Sequence, residues 1–591
     1  MFQTFESATS PAQGPPRLAA LRERMAADEV NGFIVPRADA WQGEYVATCD
    51  ERLAWLTGFT GSAGYCVVLA DVAGVFVDGR YRVQVKAEVA GDFTPVDWPE
   101  TSLASWIFDN AAEGARIAYD PWLHTPKQVK SLAGKLAAKG MELLASPNLV
   151  DAIWEDRPAR PNGKAFAHPF ELAGETSADK CKRLADELAK AGDNAAIITL
   201  PDSICWLLNV RGADIPRVPI LQSFAILKAD GEVSLFVEPE KVADLDLNAN
   251  VASSDKFLEA VSALTGRVRL DPDNCPQAVA DALTAEASHA PDPCLLPKAR
   301  KNEIELQGAR AAHARDAVAM CEFLAWLDEI DPETITEIDA AKALEGFRRA
   351  TNALQDISFE TISGAGPHGA VVHYRVTEET NRGLKDGELY LVDSGGQYVD
   401  GTTDVTRTIA LGTPPEEAKA AFTRVLQGMI TLSRIRFPEG VAGAHIDALA
   451  RAPLWMAGQD YDHGTGHGVG SYLSVHEGPA RISRVSNLPL EPGMILSNEP
   501  GYYREGAFGI RIENLIVVEK AANLPGADAR NMLSFETLTY VPIDTNLIVP
   551  EMLSDDERAW LNAYHAECAS RVAGQLTQRA TAWLARATAS I

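Results

Sequence analysis

Short apolar runs alternate with helical patterns along the first half of the chain. A helical pattern from Pro16 to Glu29 leads into the run NGFIVPRADA, and the runs GYCVVLA and GVFVDGRY follow it. Short apolar runs bounded by glycine, proline or aspartate are typical of strands, and strands separated by helices indicate a layered α/β fold. The pattern therefore predicts an α/β domain, which we place at residues 1–160.

A proline-rich stretch ends this first region. Its sequence, RPARPNG at residues 157–163, has the composition of a linker between compact units. A helical segment from Thr176 to Ala191 follows and passes into AAIITL, and then into FAILKADGEVSLFV. These elements predict a second α/β domain, at residues 161–297.

The two α/β domains resemble each other. Trp206-Leu207 and the run FAILKADG in the second domain echo Trp55-Leu56 and YCVVLADV in the first, although the spacings differ. We therefore expect two related domains derived from a duplication.

A third domain is predicted at residues 298–591. A stretch with three prolines, PDPCLLP at residues 291–297, precedes a long amphipathic helix, and Asn302 and Glu305 have the spacing of a capping box at its start. From about residue 551 a tail rich in Ala, Leu and Trp follows, and Ser554 and Glu557 offer a second capping box. The third domain is thus expected to end in a helical extension.

Composition and charge exclude several classes of partner. The 591 residues are 46% hydrophobic and 23% charged, as in ordinary globular proteins, and the formal net charge is −28. Such a chain repels phosphate backbones and anionic membrane surfaces over most of its surface. We expect no nucleic-acid partner and no membrane association.

The cysteines and the N-terminal residues favour the cytoplasm. Eight scattered cysteines include no C-x-x-C pair, so we expect buried free thiols. The N-terminus lacks a basic start followed by an apolar stretch, and nowhere do 18 or more apolar residues run together. The cytoplasm is therefore the expected compartment.

Candidate chemistry is concentrated in the third domain. Six of the eleven histidines lie in one stretch of this domain, among acidic residues in strand-like or glycine-rich settings: His368, His373, His445, His463, His467 and His476. A single histidine or aspartate in a strand is more often a satisfied structural residue than a functional one. The clustering, rather than any one residue, indicates a site.

Two aspartates can meet across a hairpin. In ELYLVDSGGQYVDGTTDVTRTIAL, an apolar strand ends in Asp393 and a β-branched strand carries Asp404. Buried unpaired carboxylates repel each other and take up a proton, whereas bound cations keep both ionised. The alternative is that Asp393 merely begins a turn.

Two glutamates follow a similar pattern. In MILSNEPGYYREGAFGIRIENLIVVE, Glu499 ends one apolar strand and Glu513 lies inside the next. A charge within IRIENLIVV demands compensation, and Arg511, two places earlier on the same strand face, is a candidate partner for Glu513.

The segment DHGTGHGVGSYLSVHEGP adds imidazoles to the four carboxylates. His463 and His467 lie among glycines that permit close backbone approach, and His476 follows in a strand-like run. One imidazole with four carboxylates makes an oxygen-rich set that suits two divalent ions such as Mn²⁺, with Zn²⁺ or Co²⁺ as alternatives. A mononuclear zinc site would use fewer carboxylates.

A glycine pattern in the same domain does not predict a dinucleotide site. Residues 364–369, GAGPHG, match G-x-G-x-x-G, but the following AVVHY predicts a strand, whereas dinucleotide binding requires a helix there. We therefore expect no nicotinamide or flavin cofactor.

The order and spacing of these residues resemble the metal set of the pita-bread metallopeptidases. Histidines in VVHY, HGTGHGVG and VHEGP are similar to those of the proline-specific members, and segments such as IVPRADAWQGEYVATCDERLAWLTGFTGSAG and NEPGYYREGAFGIRIENL resemble the long, three-domain type of cytosolic aminopeptidase P. The resemblance covers nearly the whole chain.

The resemblance implies a fold, an activity and a role for each residue. It implies a pseudo-symmetric pita-bread domain after two creatinase-like α/β domains, a homodimer, and hydrolysis of the N-terminal Xaa-Pro bond of peptides with proline at the second position. Two ions would share a water and supply hydroxide near neutral pH. The implied metal ligands are Asp393, Asp404, His467, Glu499 and Glu513.

The remaining roles are also implied by the resemblance. Glu499 would accept the proton of the bridging water, His463 and His476 would stabilise the developing oxyanion, and His373 would bind substrate near the proline. Tyr503 and Arg511 would orient the ligands.

Three alternatives remain open. A prolidase, which cleaves only Xaa-Pro dipeptides, would use the same ions, although the two preceding domains favour longer substrates. Pita-bread folds also include non-catalytic histone- or RNA-binding proteins that have lost their ligands, and metal-free enzymes that hydrolyse creatine-type amidines. All five ligand positions are filled in this chain, which disfavours both of these.

Overall fold

The computed structural model describes all residues, Met1–Ile591, and they form two compact units. One unit is Ala8–Lys298, and the other combines Ala299–Ile591 with Met1–Ser7. The first seven residues thus join the unit that contains the candidate site, although the sequence had placed them in the first α/β domain. The division near residue 160 stays a prediction.

The first half of the Ala8–Lys298 unit is a six-stranded sheet with flanking helices. Its elements are α1 (Gly14–Ala27), β1 (Gly32–Pro36), α2 (Arg52–Thr57), β2 (Tyr65–Leu69), β3 (Ala73–Val77), α3 (Gln84–Glu88), β4 (Thr94–Asp97), α4 (Leu103–Asn110), β5 (Arg116–Tyr119), α5 (Pro126–Ala137) and β6 (Glu142–Ala145). The strand order is β4-β3-β2-β1-β5-β6, and β2 runs antiparallel to both of its neighbours. Apolar side chains of β1, β2 and β3 are buried on both faces, which explains their continuous apolar runs.

The second half repeats this arrangement. Its elements are β7 (Phe166–Ala167), α6 (Phe170–Ala173), α7 (Ser177–Ala191), β8 (Ala195–Ile198), α8 (Pro201–Leu208), β9 (Val210–Arg211), β10 (Phe224–Lys228), β11 (Val233–Phe236), β12 (Asn250–Ala252), α9 (Phe257–Ser262), β13 (Arg267–Leu270), α10 (Gln277–Ala282), β14 (Glu286–His289) and α11 (Leu295–Ala299). The order β12-β11-β10-β8-β13-β14 has the same parallel and antiparallel pairs as the first sheet. Trp55 on α2 and Trp206 on α8 occupy corresponding helices, so the two α/β regions are related in fold, as predicted.

The other unit is built from helix pairs and curved antiparallel sheets. Its elements are α12 (Glu303–Glu329), α13 (Glu337–Arg349), β15 (Asp356–Ile357), β16 (Ile362–Ala365), β17 (Leu389–Ser394), β18 (Gly396–Tyr398), β19 (Gly401–Thr402), β20 (Val405–Ala410), α14 (Glu416–Arg434), β21 (Phe437–Pro438), α15 (Gly443–Trp455), β22 (Gly466–Gly468), β23 (Glu477–Ile482), β24 (Ile495–Asn498), β25 (Gly501–Arg504), β26 (Phe508–Arg511), β27 (Asn514–Lys520), β28 (Met532–Thr537), α16 (Asp555–Arg571) and α17 (Gln578–Ala587).

These elements form two similar halves. Helices α12 and α13 share an apolar core with β17 and β20, and α14 and α15 pack together beside the six-stranded sheet β21-β28-β27-β24-β22-β23. Each half is a sheet covered by a helix pair. This is the predicted pseudo-symmetric pita-bread arrangement, and the candidate site residues lie in its strands and in the segments next to them.

Helix boundaries follow the capping residues that the sequence offers. Asn302 and Glu305 form a reciprocal capping box on α12, and Ser554 and Glu557 form one on α16. Each box satisfies backbone N–H groups that would otherwise lack partners in the first helical turn. The predicted long helix and the predicted helical tail are both confirmed.

Two further sequence-based expectations concern the cysteines and membrane spans. All eight cysteines are free and buried, as predicted. Among the helices, none combines the length and the apolar character needed to cross a lipid bilayer.

Candidate metal centre

Asp393 and Asp404 lie on neighbouring parts of one antiparallel ladder. Asp393 is in β17 and pairs with Thr406 of β20, while Asp404 lies in the gap between β19 and β20 rather than in a strand. Only 8% of Asp393 and 3% of Asp404 is exposed. The two carboxylates are therefore held together in the interior, as the hairpin pattern predicted.

Glu499 and Glu513 flank two strands of the neighbouring sheet. Glu499 directly follows β24, and its N–H donates to the carbonyl of Thr465 at 2.9 Å. Glu513 lies in the break between β26 and β27, not inside a strand as predicted, and its N–H donates to the carbonyl of Thr406 at 3.2 Å. This last bond joins Glu513 to the strand that follows Asp404.

Glycines let the strand that carries His467 come close to its neighbours. A Cβ on Gly466 would stand 2.0 Å from the carbonyl oxygen of Ser497, and one on Gly468 would stand 2.2 Å from that of Glu477. The glycines of HGTGHGVG thus permit the close backbone approach that the sequence suggested. His467 is thereby placed beside the acidic residues.

The side chain of His467 faces two of the carboxylates. Its Nε2 lies 3.6 Å from Asp404 Oδ2 and 3.5 Å from Glu499 Oε1. Its Nδ1 lies 3.0 Å from the carbonyl oxygen of Gly468, a contact that places the proton on Nδ1. The lone pair of Nε2 is then directed at the acidic cluster, which is the tautomer that a metal ligand requires.

The donor set fits bound cations. Ligand atoms of Asp404, His467 and Glu513 lie within 4.8 Å of one another. Oδ1 of Asp393, Oδ1 of Asp404 and Oε1 of Glu513 are buried without a hydrogen-bond partner. A buried carboxylate oxygen without a partner is costly, and hard divalent cations bind such oxygens.

The electrostatics of the cluster support the same conclusion. Burial, together with neighbouring carboxylates, raises the pKa of Asp404 and of Glu513 well above the usual range, and burial raises the pKa of Glu499 to about 7. The guanidinium of Arg511 lowers the pKa of all three carboxyl groups, but it does not offset their burial. Cations in this cluster would keep the carboxylates ionised at neutral pH.

Arg511 pairs with Asp393, not with the nearby Glu513 that the sequence offered as a partner. Its Nη2 donates to Asp393 Oδ2 at 2.7 Å, and only 1% of the residue is exposed. Its Nη1 donates to the hydroxyl of Tyr503 at 2.6 Å. Arg511 therefore orients Asp393 and Tyr503 together, which agrees with a role in orienting the ligands.

Tyr503 connects this pair to His463. Its hydroxyl lies 2.9 Å from Nε2 of His463, while Nδ1 of His463 lies 2.7 Å from the carbonyl oxygen of Gly464. A proton on Nδ1 makes Nε2 the acceptor of the tyrosine hydroxyl. His463 is half-buried, and its ring is held by these two bonds.

His476 lies beside His467 of the cluster, and His373 lies in the turn at residues 372–373. The ring of His476 stands edge-on to that of His467, with centroids 4.4 Å apart, directly before β23. His373 is half-buried in a bend after the 3-10 turn Gly366–Ala370. The strand predicted for AVVHY is therefore wrong, because the chain turns here. The backbone just before this turn lies close to β26, since a Cβ on Gly509 would stand 1.6 Å from the carbonyl oxygen of Gly369.

Two hydroxyl groups at the site were not predicted from the sequence. Thr406 donates to Oε2 of Glu513 at 2.7 Å and accepts from Nε of Arg511 at 3.2 Å. Ser497 donates to Oε1 of Glu499 at 3.0 Å and accepts from the N–H of His467 at 2.9 Å. Thr406 lies two residues after Asp404, and Ser497 lies two residues before Glu499. Side chains two positions apart along a strand point to the same face, so this spacing could have indicated both hydroxyls.

A buried ion pair on α15 supports the loop of His463. Arg451 donates to the carbonyl of His463 at 2.6 Å and to Oδ2 of Asp447 at 2.8 Å. Asp447 also accepts from the hydroxyl of Thr465 at 2.6 Å. Glu499 in turn bonds to the Thr465 carbonyl, so helix α15 positions residues on both sides of His467.

Family models match successive regions of the chain. The model for metallopeptidase family M24 matches residues 307–520, and the C-terminal region of this peptidase family matches 531–591. The creatinase/prolidase N-terminal domain matches twice, at 17–153 and 156–305. All five candidate ligands lie within the M24 match.

Relatives match the chain over nearly its whole length. A probable Xaa-Pro aminopeptidase P of Laccaria bicolor is 39% identical over 96% of this chain and 92% of its own. Aminopeptidase P2 of Arabidopsis thaliana is 39% identical over 94% of this chain and 85% of its own.

A solved structure extends the likeness to the fold. The X-prolyl aminopeptidase of Caenorhabditis elegans, described as a cytosolic enzyme with a di-nuclear active site, superposes with a TM-score of 0.92 at 32% identity, covering 98% of this chain and 99% of its own. With two creatinase-type α/β regions before a pita-bread unit that gathers four carboxylates and an imidazole, the chain belongs to metallopeptidase family M24 and, within it, to the Xaa-Pro aminopeptidase P family.

Proposed function

We propose that this protein is a metal-dependent aminopeptidase that hydrolyses the N-terminal Xaa-Pro bond of peptides. One observation carries the proposal: a chain related over its full length to Xaa-Pro aminopeptidases has four carboxylates and an imidazole gathered at one buried site. The protein is a hydrolase whose substrates are peptides with proline at the second position.

The metal ligands in this proposal are the five residues that the sequence singled out. Asp393, Asp404, His467, Glu499 and Glu513 would hold two divalent cations, and the C. elegans enzyme is described as having a di-nuclear site. When bound, the cations lower the pKa of water and polarise the scissile carbonyl. Mn²⁺ is proposed because hard oxygen ligands predominate, with Zn²⁺ or Co²⁺ as alternatives.

Glu499 is proposed as the proton acceptor in this reaction. Its side chain is half-buried, and Ser497 donates to its Oε1, which leaves Oε2 to take a proton from the attacking water. A carboxylate held in this way is positioned for general-base work, and the hydroxyl of Ser497 keeps its plane fixed. Arg511 and Tyr503 hold the neighbouring Asp393 and His463 in place.

The surrounding histidines are proposed to bind the substrate and the developing negative charge. His476, beside His467, would donate to the oxygen of the tetrahedral intermediate, and His463 would do so after exchanging its bond to Tyr503. His373 would contact the peptide near its proline.

Two further properties are proposed. The protein forms a homodimer, which light scattering on the purified protein would check against the 63.7 kDa mass of one chain. It acts in the cytoplasm, a compartment that suits eight free, buried cysteines and matches the description of the C. elegans relative. Fractionation of the source cells would test that location.

The rival activity is that of a prolidase. The Xaa-Pro dipeptidase from Bacillus anthracis shares the fold with a TM-score of 0.51, but it covers 62% of this chain. A tripeptide Xaa-Pro-Xaa and the matching Xaa-Pro dipeptide separate the two activities. Aminopeptidase activity predicts faster hydrolysis of the tripeptide, whereas cleavage of the dipeptide alone would identify a prolidase.

The proline preference needs its own comparison. Peptides that differ only in proline or alanine at the second position are incubated with protein that has been stripped by chelation and reloaded with Mn²⁺. The proposed function predicts release of the first residue from the proline peptide alone, and equal cleavage of both would contradict it.

A further inference from the structure

The first seven residues of the chain cross to the unit that contains the metal centre. We call Met1–Ser7 the N-terminal strap, and residues 371–378, which include His373, the His373 loop. The strap belongs to the same compact unit as Ala299–Ile591, although the next residues along the chain belong to the other unit. Contacts with residues more than three hundred positions later in the sequence therefore hold it in place.

The beginning of the strap is anchored to α13 and to the segment before β16. The N–H groups of Phe2 and Gln3 donate to the two carboxylate oxygens of Glu345, at 2.8 and 3.3 Å. The side chain of Gln3 also forms a reciprocal pair with the backbone of Thr361, at 2.9 and 3.3 Å. Gln3 is 5% exposed, so the bonds that it forms are shielded from water.

The rest of the strap is bonded to the His373 loop itself. The carbonyl of Phe5 accepts from the N–H of Glu378 at 2.8 Å. The guanidinium of Arg375 donates to the carbonyls of Glu6 and Thr4, at 3.2 and 3.4 Å. Arg375 is two residues after His373, so the strap fixes the backbone that leads out of this bend.

The phenyl ring of Phe5 fills an apolar cluster beneath the loop. Phe5 is 7% exposed and packs in one cluster with Tyr374 and Val376, against which Val371 and Tyr503 are also packed. Tyr374 directly follows His373, and its hydroxyl donates to the buried Glu337 at 3.0 Å. The same cluster thus joins the strap, the flanks of His373 and the tyrosine that bonds to His463.

We infer that the N-terminal strap positions the His373 loop for substrate binding. The strap touches no reacting atom, and it acts through the backbone of residues 371–378 and through the packing of Tyr374. Release of the strap would let the loop sample other conformations, so that fewer molecules present His373 in its binding position. The inference rests on the proposed function, because it assigns His373 to the peptide substrate.

Two strap variants test this inference in the full-length protein. Phe5→Ala removes the ring from the cluster, and Gln3→Ala removes the bonds to Thr361 while leaving the cluster filled. Phe170→Ala, a phenylalanine that is 56% exposed in the other unit, is the matched control. Gln3→Ala keeps the test decisive if Phe5→Ala does not fold.

Hydrogen exchange and steady-state kinetics are the two readouts. In both strap variants we expect amide exchange of residues 371–378 to increase about tenfold, because Glu378 loses its ordered acceptor. We expect KM for an Xaa-Pro-Xaa peptide to rise about fivefold with kcat within about twofold, because the loop affects binding rather than the reacting groups. Bound metal should equal that of the wild type.

The outcomes separate the strap from the proposed function. A wild-type protein that cleaves no Xaa-Pro peptide would overturn the proposed function, and the exchange experiment would still decide whether the strap orders the loop. An active wild type whose strap variants keep the same KM, or the same exchange in residues 371–378, would overturn the inference. Metal loss in the variants would also overturn it, since the strap would then support the metal centre.

Discussion

At the scale of single residues, the metal centre is defined by which side chains lack ordinary partners. Asp393, Asp404 and Glu513 each have one oxygen bonded or directed at a neighbour and another that is buried without a hydrogen bond. Arg511 supplies a buried positive charge that acts on Asp404, Glu499 and Glu513. Divalent cations resolve the imbalance, and the surrounding hydroxyls of Thr406 and Ser497 fix the orientation of the ligands.

Two adjacent histidines should respond differently to removal. His467→Ala should lose bound metal, because its Nε2 is directed at Asp404 and Glu499, whereas His476→Ala should keep metal near the wild-type content and lose turnover. Elemental analysis after gel filtration measures the first effect, and peptide hydrolysis measures the second. Melting in excess chelator should show that both variants remain folded. Metal loss in His476→Ala would contradict these assignments, because His476 would then be a metal ligand rather than a substrate-binding residue.

A buried aspartate in the Ala8–Lys298 unit should make the stability of that unit depend on pH. Burial raises the pKa of Asp292 to about 6, while its Oδ1 accepts from the N–H of Cys294 at 2.7 Å. Between its usual pKa near 4 and about 6, the unfolded chain loses this proton before the folded chain does, so stability falls as pH rises. The contribution of Asp292 to the free energy of unfolding falls by up to about 3 kcal/mol across this pH range.

The near-isosteric Asp292→Asn isolates that contribution. Relative to the wild type, the variant should gain stability as pH rises from about 4 to about 6 and show a constant difference above it. Thermal melts at several pH values measure the difference, with the exposed Asp255→Asn as control. A difference that does not vary with pH would show that Asp292 keeps an ordinary pKa.

At the scale of elements, the helical tail is connected to the metal centre through one buried arginine. Arg407 of β20 donates to the carbonyl of Glu513 at 2.6 Å and to the hydroxyl of Tyr564 on α16 at 2.9 Å. Tyr564 also donates to the carbonyl of Val541 at 2.8 Å. Helix α16 therefore helps to fix the backbone of a proposed metal ligand, Glu513, that lies 51 positions before Tyr564 in the chain.

Removal of one hydroxyl should test this connection. Tyr564→Phe removes a buried hydroxyl that accepts from Nη2 of Arg407 and from the N–H of Val541, and it should lower the free energy of unfolding by about 1–2 kcal/mol and weaken metal binding. Tyr540→Phe, in a ring stacked on Tyr564 with centroids 5.9 Å apart, is the matched control. Calorimetric titration with Mn²⁺ measures the affinity, and equal affinities in both variants would contradict the connection.

Local signals in the sequence predicted much of the element structure. Capping residues such as Asn302 and Ser554 and the apolar runs of the paired sheets act over a few positions, so they can be recognised without the fold. Partners set by tertiary contact could not be predicted. Arg511 pairs with Asp393, 118 positions away, rather than with Glu513, two positions away. AVVHY forms a turn, and the chain around it contacts β26 and the strap.

At the scale of the whole molecule, the chain combines a duplicated α/β unit with one catalytic unit. The two six-stranded sheets share one strand order, which explains why their apolar runs echo each other while the candidate ligands lie only in the other unit. The N-terminal strap also belongs to the pita-bread unit, although the residues that follow it belong to the α/β unit. Composition could not indicate this, because the strap is short and its contacts lie far along the sequence.

The central claim is that five residues hold two cations that this chain needs for cleavage of Xaa-Pro peptides. The most direct test is the rate of hydrolysis of one Xaa-Pro-Xaa peptide as chelated protein receives increasing equivalents of Mn²⁺. The account predicts no turnover without metal and a rate that reaches its maximum at about two equivalents per chain. Hydrolysis by the metal-free protein, or no hydrolysis with Mn²⁺, Zn²⁺ or Co²⁺, would contradict it.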